Sequence, residues 1–174
     1  MEHPFPLVTG EVVKAMKTLG SGFAVSAGKN ILSHVHVLDL AHLYLLLLSS
    51  ALKSQNSDAQ AEEDLWGPEA YYFAASEEIS FAEFMTEMVR ILRDHGIIKN
   101  EEIREIDVHQ GAKASGATGE EQVADSWAMH IAIDFGIDMR CRSSRARGLG
   151  WEPKEPGVVD TLQEVVGKLV GREN

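Results

Sequence analysis

Two groups of residues in this 174-residue chain have types and spacings that can do chemistry. His34 and His36 stand two apart in Ser33-His34-Val35-His36-Val37, so on an extended strand their imidazoles share one face. Such a pair can begin a metal site. Zinc needs three or four ligands, and no further Cys, His or carboxylate stands at a telling spacing, so no metal is expected. The plainer reading is a half-exposed strand face. The second group is Arg140, Arg142, Arg145 and Arg147, a dense basic cluster in a chain with 27 acidic and 16 basic residues. Guanidinium forks suit phosphate or carboxylate, which makes the cluster a candidate anion site. The competing reading is a solvated face of salt bridges to the many Asp and Glu residues.

The elements that must position these residues follow from local pattern. Val35 and Val37 alternate with the histidines and predict a strand over 31–37. Asp39 then falls where a helix N-cap belongs, ahead of a helix over 39–52 with Leu40, Leu43, Tyr44, Leu47 and Leu48 at helical spacing. Upstream, Thr9 caps a helix from Gly10 to Leu19, and a strand from Phe23 to Ser26 leads through Ala27-Gly28-Lys29-Asn30 toward the strand over 31–37. A glycine-bearing loop of that size predicts a hairpin. Residues 53–68, polar up to Asp64, read as a mobile surface loop.

Further along, Tyr71 to Ala75 predicts a strand, with one tyrosine ring inward and one outward. Ser80 and Glu83 make a capping box, and Ile79 can staple onto Phe84. Phe81, Phe84, Met85, Met88 and Leu92 form the apolar face of the helix that follows, closed by Gly96. Residues 97–110 are amphipathic and acidic. The stretch from Gly111 to Gly119 reads as small and flexible. Thr118 and Glu121 form a second capping box, for a helix to Ile133 through Val123, Trp127 and Ile131. An extended piece and one helical turn carry the arginines, and Val158, Leu162, Val165, Val166 and Leu169 mark a final amphipathic helix.

Bulk properties narrow the class. The length suits one domain, 1–174, and 44% apolar with 25% charged residues is the balance of a globular protein. A net charge of −11 argues against nucleic acid and anionic membranes as partners. The longest apolar stretch is shorter than the roughly 20 residues a bilayer span needs, and no signal peptide is visible. Cys141 is the single cysteine, which excludes an internal disulfide and favours a reducing, cytoplasmic setting.

Three motifs together resemble the extended short-chain dehydrogenase/reductase family. Val35, Val37, Asp39 and Ala41 match its V-x-V-x-D-x-A joint. Leu149-Gly150-Trp151-Glu152-Pro153 looks like its L-G-W-x-P signature. Between them, Tyr71 to Ser76 followed by Ile79-Ser80-Phe81 looks like its strand and Ser-started helix. The resemblance covers roughly residues 4–170 and is nearest to fungal NAD(P)-binding proteins of the epimerase/dehydratase type. It implies an α/β fold: the C-terminal part of a Rossmann-type fold, helix-rich with a few short strands, whose N-terminal dinucleotide-binding half is missing. It also implies a substrate-binding lobe in which His34, His36 and Arg145 contact a small-molecule substrate.

The glycine-rich turn that holds the dinucleotide in that family has no counterpart here. Nor does its Tyr-x-x-x-Lys pair, since Tyr44, Tyr71 and Tyr72 are followed four positions on by Leu48, Ala75 and Ser76. The resemblance therefore implies a lobe of an NAD(P)-dependent oxidoreductase or epimerase/dehydratase, with no catalytic or cofactor-binding residue of its own and inactive alone. NAD(P) is implied by the family only. The alternatives are a non-catalytic regulator of the NmrA-like kind that binds a protein partner, and a truncated gene product prone to self-association.

Overall fold

A computed structural model describes residues 7–25, 27–54, 65–68, 70–116, 133 and 135–171. The predicted helix from Thr118 to Ile133, with Trp127, lies almost wholly outside them, as does most of the loop over 53–68. The chain is α/β and divides into two compact units, one of residues 1–32, 79–139 and 159–174, the other of 33–78 and 140–158.

The first unit is built on α1 (Leu7–Leu19), β1 (Gly22–Val25), α3 (Phe81–Asp94), β4 (Ile103–Ile106), α4 (Val108–Ala114) and most of α6 (Val158–Gly171). All four residues of β1 are buried, so both of its faces are covered. β1 pairs in parallel with β4, Gly22 opposite Ile103 and Val25 opposite Ile106. The predicted hairpin between β1 and the next strand does not form. A loop predicts a hairpin only when its flanking strands lack better partners, and β1 has one in β4. Helices α1 and α3 both lie against β1. Gly22 permits the approach of α3, since a Cβ there would sit 2.6 Å from Val89 Cγ2.

Helix α3 follows its local signals closely. Ser80 Oγ accepts the Glu83 N–H at 3.1 Å, one arm of the expected capping box. Phe81, Phe84, Met85, Met88 and Leu92 are all buried. At the other end Gly96 takes φ 70°, while Gly96 N–H donates to Arg93 O and Ile97 N–H to Leu92 O, the two bonds of a Schellman close. Phe81 stacks on Phe135 at 5.2 Å between centroids, and Phe23 leans on both rings. Within the stretch from Gly111 to Gly119, expected to be flexible, Gly111 to Ala114 belong to α4 instead. Its capping box of Asp107 and Gln110 and the burial of Gly111, Ala112 and Ala114 hold it there.

The second unit carries α2 (Val37–Ser54) and α5 (Ser144–Gly148). β2 (Ile31–His34) and β3 (Glu77–Ser80) form the other two-stranded sheet. Leu43, Ala146 and Trp151 form the core of this unit, with Val35, Leu46, Leu47 and Ala74 packed around them. The expected strand over 31–37 is shorter, ending at His34, and α2 begins at Val37 with Leu40 N–H donating to His36 O at 3.0 Å. Val35 and Val37 therefore do not share a face: Val35 packs on the core and Val37 is exposed.

Asp39 is not the N-cap. It sits in the first turn of α2, 3% exposed, where its carboxylate accepts the Lys154 N–H at 2.8 Å and the Glu155 N–H at 3.2 Å. Its own carbonyl accepts Trp151 Nε1–H at 2.8 Å. His36 Nδ1 accepts the Leu38 N–H at the helix start instead, at 3.2 Å. The buried face of the helix matches the expected positions only in part, at Leu40, Leu43 and Leu47. Leu43 is buried and Leu46 and Leu47 half-buried, whereas Tyr44, Leu45, Leu48 and Leu52 are exposed. Nor is 71–75 a strand. Tyr71 is exposed, as expected for one of the pair, and Tyr72 is half-buried with its hydroxyl donating to Leu65 O at 3.1 Å.

Candidate functional site

A candidate site in the second unit is a groove of about 530 Å³, walled by residues 75–78 on one side and by 140–144 with Arg147 on the other. Side chains, not a strand ladder, hold these walls together. Ser143, buried, donates from Oγ to Ala75 O at 3.0 Å and accepts the Ala75 N–H at 2.7 Å. That pair of bonds satisfies both backbone groups of Ala75 without a strand partner. Ser33 Oγ accepts the Cys141 N–H at 3.0 Å, and Ser76 donates from its N–H and from Oγ to His34 O at 2.8 and 3.1 Å.

Three arginines and two carboxylates line the groove, and the carboxylates are already engaged. Glu78 takes a forked ion pair from Arg140, with Nη2 at 2.7 Å from Oε2 and Nε at 3.2 Å from both oxygens. The hydrogen bond from Arg140 holds the Glu78 carboxyl below the usual carboxylate range, helped by the charges of Arg140 and Arg142. Glu77 accepts the Val158 backbone N–H and lies so close to Gly157 that a Cβ there would sit 2.5 Å from Glu77 Oε2. Arg147 lies over the Trp151 ring at 5.9 Å, a cation–π contact that orients its guanidinium.

The local conformation explains which arginines reach the groove. Residues 140–143 are not helical, and two-residue spacing in an extended segment sets Arg140 and Arg142 on one side. Arg145 and Arg147 lie on α5, where two residues turn the helix by about 200° and send their side chains opposite ways. Arg147 lines the groove, while Arg145 lies over the Tyr72 ring at 5.3 Å.

None of the three residues expected to contact substrate, His34, His36 and Arg145, is part of this lining. His34 ends β2, half-buried. Burial pushes its imidazole pKa down, against the opposing pull of the Glu77 carboxylate, and Nε2 is buried without a hydrogen-bond partner among the described residues. His36 is occupied at the start of α2. Among the described residues no group of three or more His, Cys, Asp and Glu side chains is placed to hold a metal ion. Sequence reasoning named Arg147 within the arginine cluster but preferred Arg145, and it passed over Ser143 and Glu78. The arginine spacing across a change from extended to helical backbone was the signal that could have found Arg147.

The described residues do not fit a dinucleotide pyrophosphate. That group needs a buried strand running through a glycine-rich turn into a helix N-terminus. β1, the buried strand, runs past Gly28 into β2, and β4 reaches α4 through Asp107, whose carboxylate already accepts the Gln110 N–H at 2.8 Å. No helix of the described residues is long and apolar enough to cross a membrane.

The chain is 26% identical, over 160 residues, to a protein named oxidase ucsJ from Acremonium sp. The match covers 91% of this chain and 42% of that protein, so the chain spans less than half the length of this relative. No protein-family model matches the chain, and no solved structure matches it. The relative's name corrects the functional expectation: it is that of an oxidase, not of a dehydrogenase or epimerase/dehydratase, so the reading as a lobe of such an enzyme is set aside.

Proposed function

We propose that this chain is part of an oxidoreductase of the oxidase kind and that its second unit handles the substrate. The observation that carries the reading is the length of the match to the protein named oxidase ucsJ, which runs through 91% of the chain rather than through one motif. A match of that extent draws in α3, the groove walls and the segment around Trp151 together. The likeness to extended short-chain dehydrogenase/reductases belongs to this proposal as a statement of ancestry and fold. NAD(P) is carried with that ancestry and is assigned no residue.

Deletion of the coding sequence in the source organism, followed by comparison of small-molecule profiles, tests the reading. A compound that accumulates in the deletant and differs from the lost one by a pair of hydrogens or by an oxygen atom is the expected result. If the accumulating and lost compounds instead differ by a group transfer or a hydrolysis, the oxidoreductase reading fails.

A further inference from the structure

We infer that the groove of the second unit binds the oxyanion end of a small molecule, a carboxylate or a phosphate group, through Arg142 and Arg147. The inference stands on charge accounting within the groove and does not depend on the oxidoreductase reading. In a chain of net charge −11, the groove is lined by Arg140, Arg142 and Arg147 against Glu77 and Glu78. Glu78 is spent on Arg140, and Glu77 is held by the Val158 N–H. Arg142 acts on Glu78 through space alone, and neither the Arg142 nor the Arg147 guanidinium has a hydrogen-bonding or ion-pair partner among the described residues. Two guanidiniums with unspent donors thus line one groove, each with a planar fork that matches a two-oxygen face.

The surroundings favour a bound anion over a chance cluster. Arg147 is held over the Trp151 ring, so less of its side-chain freedom is lost on binding. The segment bearing Arg142 is tied down on both sides, by Ser33 at Cys141 and by Ala75 at Ser143. Ser144 adds a hydroxyl to the lining. A volume of about 530 Å³ exceeds what a lone oxyanion fills and falls within the range of small-molecule sites, so the anion is one end of a larger ligand.

The test is calorimetric titration of the 174-residue chain with inorganic phosphate and, separately, with acetate, at constant ionic strength. Saturable binding of either probe is expected. Arg142→Gln should weaken it by about tenfold or more, the effect of losing a charge-assisted hydrogen bond. Arg142→Lys, which keeps the charge and loses the fork, should fall between. Arg104→Gln, in the first unit, should bind as the parent does. Arg147→Gln is read only alongside a circular dichroism spectrum, because its stacking on Trp151 also supports the core. Preference for acetate assigns a carboxylate ligand, and preference for phosphate a phosphorylated one. The absence of saturation by both probes, or saturation that Arg142→Gln leaves unchanged, overturns the proposal.

Discussion

At the scale of single residues, Asp39 carries the clearest stabilising role. Its buried carboxylate accepts two backbone N–H groups from the segment that follows Trp151, and its removal strands both donors. Asp39→Ala should cost about 3 kcal/mol, read as a lowered urea midpoint by circular dichroism. A loss of only about 1 kcal/mol would be that of an N-cap and would contradict the structure. His34 gives a pH signature. Burial lowers its folded pKa below the ordinary 6.5, so the unfolded chain takes up the proton first. Stability is therefore kept above that value and falls as the pH drops through it. Between about pH 7.5 and about pH 5.5, the parent should lose more stability than His34→Gln. Equal losses would mean the imidazole is as accessible folded as unfolded. Asp39 was legible as an important acid and misread as a cap, because its partners lie 115 and 116 residues away.

At the scale of elements, α2 and α3 show when a hydrophobic pattern is readable. The apolar positions of α3 leave a polar face between them, so the buried side could be named in advance. Leu45 to Leu48 are four leucines in a row and cover the whole helix circumference, so no period marks the inward face of α2. Burial separates them: Leu43 is 3% exposed and Leu45 61%. Leu43→Ala should cost about 2–5 kcal/mol through lost burial and the cavity left behind. Leu45→Ala should stay within about 0.5 kcal/mol of the parent, as surface changes do. Thermal melts of the two variants check this, and comparable losses would place Leu45 in a core. The expected strand over 71–75 failed for a related reason. Alternating residues make a strand only with a ladder partner, and the Ser143 hydroxyl satisfies Ala75 in its place.

At the scale of the molecule, the two units differ in what holds them. The first has a β strand buried on both faces and an aromatic cluster of Phe23, Phe81 and Phe135, while the second centres on Leu43, Ala146 and Trp151. Hydrogen exchange followed by mass spectrometry should find the amides of β1 and α3 slowest and those of 70–75 among the fastest. Protection of 70–75 equal to that of β1 would mean that this segment is a strand in solution. What the amino-acid order settled unaided was whatever is decided within one or two turns of chain: α3 with its start and stop, the final helix and the presence of an arginine cluster. Those signals are local because capping, helical period and the glycine close each involve residues no more than about five apart. Strand pairing, the partners of Asp39 and the choice of Arg147 over Arg145 for the groove waited on the tertiary structure. Each depends on which distant segment arrives beside it, and many alternative arrivals satisfy the same local pattern.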